Sequence, residues 1–193
     1  MTIYDFNKTF SPQYYNLAKV CKHLGTELND RKNRFDKSDI LEQALEAATG
    51  NKLRWVDEQG YDHYCPELDY KAEMKTESCA LYSKKTKKLK GKVSLKLTNT
   101  LQNKNEKKKL EETANDLIIV DSFHGAVGRV PYSVAIEHAI EIADGFKTEI
   151  PIDKIEILFE GITENNELLE NSSYMEQKKK MQKDYVQSFF VDK

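Results

Sequence analysis

Apolar positions along the chain follow two rhythms. Leu17, Val20, Cys21 and Leu24 recur at helical spacing up to Gly25, behind a Ser11-Pro12 pair that reads as an N-cap with proline at the first helical position. After a polar connector over 29–36, Ile40, Leu41, Ala44, Leu45 and Ala48 form one face of a second helix opening at Ser38 and closing at Gly50. From Leu53 to Thr76 aromatic and β-compatible residues crowd together, punctuated by Gly60 and Pro66, which predicts two or three short strands with a turn near Cys65-Pro66-Glu67. Val93, Leu95 and Leu97 then alternate with Ser94, Lys96 and Thr98, the pattern of a half-buried strand. Leu117-Ile-Ile-Val120 is a continuous apolar run ended by Asp121, as a central strand covered on both faces requires. Gly125, Gly128 and Pro131 predict a turn or hairpin over 122–132, and Val134, Ile136, Ala139, Ile140 and Ala143 a helix over 133–143. A late strand is expected over 155–159, closed by Gly161, and a Ser173-x-x-Glu176 capping box opens a lysine-rich helix through Phe189.

These elements point to an α/β (α+β) fold with a central mixed sheet flanked by helices. At 193 residues one domain is expected over 1–193, with an N-terminal helical part (11–50), a sheet core (53–160) and a C-terminal helix (173–190). Hydrophobic residues make up 39% and charged residues 32%, and no apolar run approaches the roughly 18–20 residues of a membrane span. No basic region followed by an apolar stretch opens the sequence, so a cytoplasmic protein is expected. Cys21, Cys65 and Cys79 are odd in number and scattered, which predicts free thiols rather than a disulfide framework or structural zinc. Neither a Gly-x-x-x-x-Gly-Lys-Ser/Thr nor a Gly-x-Gly-x-x-Gly phosphate loop occurs.

The formal net charge is only −2, yet between Lys84 and Lys109 eleven lysines face the single acid Glu106, a local balance of +10. Lysines of this kind meet phosphates without reading sequence, whereas Asn and Gln side chains can read base edges. Candidate nucleic-acid contacts are therefore Lys84, Lys85, Lys87, Lys88, Lys92, Lys96 and Lys104 for phosphates, with Asn99, Gln102, Asn103 and Asn105 for bases. A solvated lysine face is the ordinary alternative.

The candidate chemistry lies just before this stretch. Strand alternation puts Glu73 and Lys75 on one face with Met74 buried behind them, and a turn at Pro66 would return Asp62 to the same place. Two carboxylates and a main-chain carbonyl, that of Met74, suit Mg2+, which takes oxygen ligands and keeps several waters. Such a cation polarises a phosphoryl oxygen and activates water, while the Lys75 ammonium stabilises developing negative charge. The bland alternative is a surface strand, with Glu73 and Lys75 a solvated ion pair contributing well under ~1 kcal/mol and Asp62 a turn residue.

Gly60-Tyr-Asp62, the interval to Glu73-Met-Lys75, and the apolar strand that follows resemble the PD-(D/E)XK nuclease superfamily, and within it an orthodox type II restriction endonuclease. The resemblance implies a restriction-endonuclease-like fold and a bacterial restriction-modification setting. It further implies a homodimer that hydrolyses double-stranded DNA at a specific, palindromic site with Mg2+. By position, Asp62 and Glu73 would be metal ligands, with Lys75 the catalytic lysine. No proline precedes Asp62, so Asp57 stands in reserve as first acid, and Asp69 is a poorer choice. An upstream helical glutamate serves some members, and Glu46 is the candidate for that role.

Overall fold

The computed structural model describes residues 3–27, 34–58, 60–97, 114–142 and 145–161. The helices are α1 (Ile3–Phe10), α2 (Tyr14–Glu27), α3 (Arg34–Ala48) and, later in the chain, α4 (Tyr132–Glu137). The strands are β1 (Arg54–Glu58), β2 (Tyr61–Cys65), β3 (Tyr70–Glu77), β4 (Lys92–Leu97), β5 (Asp116–Asp121), β6 (Ala126–Pro131), β7 (Ala139–Ile142), β8 (Gly145–Pro151) and β9 (Glu156–Phe159). The fold is mixed α+β, as the patterning predicts. One six-stranded mixed sheet runs β1-β2-β3-β5-β6-β9, and a second, three-stranded sheet runs β4-β8-β7. Within the large sheet β3 and β5 pair in parallel, and the other neighbours are antiparallel.

The large sheet lies between two apolar layers. On one face Ala72, Met74, Ile118 and Val120 pack with Phe6, Phe10, Leu17, Leu41 and Leu45 of α1, α2 and α3. On the other, Leu117, Ile119 and Val130 meet Val93, Leu95 and Leu97 of β4, Ile150 of β8, and Tyr132 and Ile136 of α4. Both faces of β5 are thus covered, which is why its sequence is a continuous apolar run rather than an alternation. β4 is buried at every second residue, as its pattern predicts.

Several boundaries differ from expectation. Ser11 is not an N-cap: its φ is 44°, and its N–H bonds to the Asn7 carbonyl at 2.8 Å, so it ends α1, a helix that the patterning does not reveal. α3 begins at Arg34, so Ser38 lies inside the helix, with its hydroxyl bonded to Glu42 Oε1 at 2.9 Å. The helix expected over 133–143 stops at Glu137, and Ala139–Ile142 is instead β7, an edge strand paired with β8. Ile140 is 54% exposed, so the apolar spacing that suggests a continuing helix is not a buried face. β8 is a further strand beyond those expected, with a clean alternation in which Phe146, Thr148 and Ile150 are buried. The helix expected over 173–190 lies outside the described residues. Among the described residues no helix is long and apolar enough to cross a membrane.

Arg129 is a buried structural residue. Its guanidinium pairs with Asp116 and Glu156, each at 2.8 Å, and Tyr70 donates to the same Asp116 carboxylate at 2.6 Å. The three cysteines are free thiols.

Candidate active site

The site grows out of the β2–β3 hairpin. A 3-10 turn over Pro66–Leu68 reverses the chain where the sequence predicts it, and Asp69, with φ 46°, closes it in the left-handed region. From that turn the ladder runs Cys65↔Tyr70, Tyr64↔Lys71 and His63↔Ala72. One step further the main-chain pairing gives way: the Met74 N–H donates to Asp62 Oδ2 at 2.7 Å. A residue's N–H and C=O leave an extended strand on the same side, so the Met74 carbonyl opens toward the same gap. Asp62 is therefore fastened to the strand that carries the other two charged residues.

Glu73 and Lys75 share a face, and the Lys75 ammonium donates to Glu73 Oε1. The register Glu73↔Leu117, Met74↔Ile118 and Lys75↔Ile119 places this pair on the side of the small sheet and α4, with Met74 packed under the helices. Glu73 is only 3% exposed, which rules out the solvated surface pair.

Charge is concentrated here. Burial, together with the negative charge of Glu73 and Glu42, pushes the Asp62 carboxyl up to about 7, against the opposing pull of Lys75 and the Met74 N–H. Burial alone would lower Lys75, but Glu73, Asp62 and Glu42 outweigh it and raise the ammonium above its ordinary value. Tyr132, buried at the start of α4, is raised first by burial and then by the charges of Glu73 and Asp62, which marks it as a wall of the site.

Glu42, not Glu46, is the acid of α3 whose charge reaches Asp62 and Lys75. Its carboxylate is held at both oxygens, by the Ser38 hydroxyl and by the Trp55 indole N–H, each at 2.9 Å. Burial raises Glu42 in spite of these bonds. The Glu42 main-chain carbonyl takes a third contact, from His63 Nε2 at 2.9 Å. A carbonyl only accepts, so Nε2 carries the proton, and burial holds this ring neutral by pushing it down to about 4. Glu46 lies one turn further on, where its own carbonyl is taken up at the helix end by Asn51 and Thr49. Asp69 sits at the opposite end of the hairpin and accepts from the Tyr64 hydroxyl. Asp57 is placed only through its backbone, in the irregular stretch of β1 between Trp55 and Glu58.

The basic residues divide into two groups. Lys84, Lys85, Lys87 and Lys88 stand exposed on a tongue built by the Tyr82↔Leu89 bridge and by bonds from Ser83 N–H to Lys88 and from Lys90 N–H to Leu81, both 2.9 Å. Lys92 and Lys96 lie on the open side of β4, and the Lys92 ammonium is paired with Glu149, which also takes Lys147. Asn99, Gln102, Asn103, Lys104 and Asn105 lie outside the described residues.

Among the described residues no three His, Cys, Asp or Glu side chains converge as a closed metal site. The donors present are two carboxylates, one with its ionised form disfavoured first by burial and then by neighbouring negative charge, and a main-chain carbonyl facing the same gap. This hard, incomplete oxygen set fits a cation that retains water, and a dication would offset the charge that raises Asp62. The chain matches no family model and no curated protein.

Proposed function

We infer that the chain is a Mg2+-dependent type II restriction endonuclease of PD-(D/E)XK type, a homodimer hydrolysing double-stranded DNA at a specific palindromic sequence. The observation that carries this reading is the meeting of Asp62, Glu73, Lys75 and the Met74 main chain where β2 and β3 part. In this reading Asp62, Glu73 and the Met74 carbonyl hold the cation, and Glu42 takes the helical role expected of Glu46. When bound, Mg2+ supplies Lewis acidity toward a phosphoryl oxygen and lowers the pKa of its water. Lys75, steered by Glu73, offers its ammonium to the charge that develops on the phosphate. Tyr132 closes the inner wall and keeps water out from that side. Twofold symmetry gives two such sites, one for each strand of a palindrome.

Digestion of a fully sequenced DNA with Mg2+, followed by end mapping, tests the whole reading. Discrete fragments sharing one sequence at their ends are expected, with Lys75→Ala binding the same DNA and leaving it uncut. Cleavage confined to branched DNA would make the protein a junction or repair nuclease. No cleavage of any duplex or branched substrate would make it a non-catalytic nucleic-acid binder.

A further inference from the structure

Asp121, the last residue of β5, is a fully buried carboxylate that the site above does not use. Its Oδ1 accepts the main-chain N–H groups of Cys79, Phe123 and His124, each at 3.1 Å. Its Oδ2 accepts those of Leu81 and Tyr82, each at 3.0 Å. His124 Nδ1 lies 3.1 Å from both oxygens. These donors belong to two separate segments, the root of the basic tongue and the turn between β5 and β6. A single side chain therefore fixes the two against each other.

The turn presents Phe123, 43% exposed, with the Lys84 ammonium 5.0 Å from its ring centroid and the His124 ring edge-on at 4.9 Å. No acid occurs from Ser78 to Leu97, so the charged side chains of the tongue itself are all positive, while Glu160 acts electrostatically on Tyr82 at its root. Asp121 also lies close to the acidic group. Asp121 pairs with Glu77 in the parallel β3–β5 ladder, two residues beyond Lys75, or about 7 Å along the strand. Tongue, ring and acidic group thus occupy neighbouring positions toward one end of the two parallel strands.

We propose that Asp121 is a positioning residue that sets the Lys84–Lys88 tongue and Phe123 as one docking surface for a DNA strand, the lysines meeting phosphates and Phe123 the apolar face of an unstacked base. Charge complementarity selects the polyanion, and an exposed aromatic ring among lysines is the arrangement that grips a strand by stacking as well as by charge. The identity of the partner rests on the nuclease reading above; the coupling of the two segments through Asp121 does not.

The test titrates the full-length protein, without divalent cation, with a labelled duplex carrying one unpaired base, over a series of salt concentrations. Replacing Lys84, Lys85, Lys87 and Lys88 together by Ala lowers the slope of log K against log salt by roughly 2 to 4, at about 0.9 for each phosphate that is no longer neutralised. Phe123→Ala weakens binding roughly five- to a hundredfold at every salt concentration and leaves the slope unchanged, because an apolar group releases no counterions. Asp121→Asn keeps the size of the side chain, but its amide nitrogen cannot accept, so two or three main-chain donors are left without a partner. Amide exchange then speeds up over 79–82 and 123–124 while β5 and β6 stay protected, and the salt slope falls with no further decrease when the lysine replacements are added. A wild-type slope in the lysine variant, wild-type affinity in Phe123→Ala, or additive Asp121 and lysine effects overturn the proposal, and leave the nuclease reading intact wherever wild-type protein still cuts. Wild-type protein that binds no DNA at any salt concentration overturns both. The lysine and Phe123 replacements are on exposed positions, so they carry the test even where Asp121→Asn fails to fold.

Discussion

The Asp62 carboxylate accepts the Met74 N–H at 2.7 Å, so a side chain of β2 stands in for a main-chain acceptor at the point where the hairpin opens. The acid is thereby held beside Glu73 and Lys75 by a backbone bond, independently of any cation. Holding it there has an electrostatic cost. Burial and Glu73 raise Asp62 from 3.8 to about 7.

That cost predicts a pH dependence of stability. An acid whose folded pKa is raised favours the fold most below its unfolded pKa, and the contribution is lost as pH rises through the folded value. This carboxyl should cost metal-free protein on the order of 2–4 kcal/mol of unfolding free energy between about pH 4 and pH 7, at about 1.4 kcal/mol per pKa unit, while His63, held down to about 4, contributes with the opposite sign over much of the same range. Urea denaturation across this range reads it. Asp62→Asn removes this contribution and leaves that of His63, so wild type should lose stability relative to the variant as pH rises through this range, and added Mg2+ should restore wild-type stability at pH 8 by mass action. A constant difference in stability between wild type and Asp62→Asn across this range would contradict the placement of this charge.

Lys75→Ala has two effects that one measurement would confuse. It strips a buried carboxylate, Glu73, of its counter-charge, and breaking such a pair costs about 3 kcal/mol. Pairing Lys75→Met with Glu73→Gln removes both charges and should recover most of that stability while Mg2+-dependent cutting stays absent. Recovery of cutting along with stability would mean that neither charge takes part in the chemistry.

Trp55 is the protein's single tryptophan, and its indole N–H is bonded to Glu42. Its fluorescence is therefore a direct reporter on this acid. Titration with Mg2+ or Mn2+ should shift the emission of wild-type protein and leave that of Glu42→Gln unchanged. The same variant should lose roughly 10- to 100-fold in cleavage, the usual effect of disturbing groups around a metal site. Glu46→Gln should resemble wild type in both measurements.

Arg129→Ala separates a structural arginine from a phosphate grip. Its guanidinium is buried and paired with Asp116 and Glu156. The variant should lose about 3–5 kcal/mol of stability, because two carboxylates lose their counter-charge. At a temperature where it remains folded, its DNA affinity and salt slope should match wild type. A lower slope would place Arg129 on DNA instead.

Local periodicity alone settles what lies within one strand or one turn. Alternation puts Glu73 and Lys75 on one face with Met74 behind, Pro66 places the reversal, and the unbroken run at Leu117 identifies a strand covered on both sides, because each depends only on neighbouring residues. Contacts between distant segments are not legible in this way. Helical spacing puts Glu42 and Glu46 on the same flank of α3, and only the packing of that helix over β1 and β2, with Trp55 and His63 gripping Glu42, decides which one bears on the site. Ile140 fits a helical face or a strand equally well by spacing, and the free ladder edge of β8 decides for the strand. Asp121 looks in sequence like the polar end of an apolar run, and its role arises because the tertiary fold brings three main-chain donors of a distant segment to a carboxylate that already holds two from its own turn. Period fixes the direction in which a side chain points; what it meets there depends on which other segment must satisfy its hydrogen bonds or bury its surface, and that is settled only when the whole chain packs.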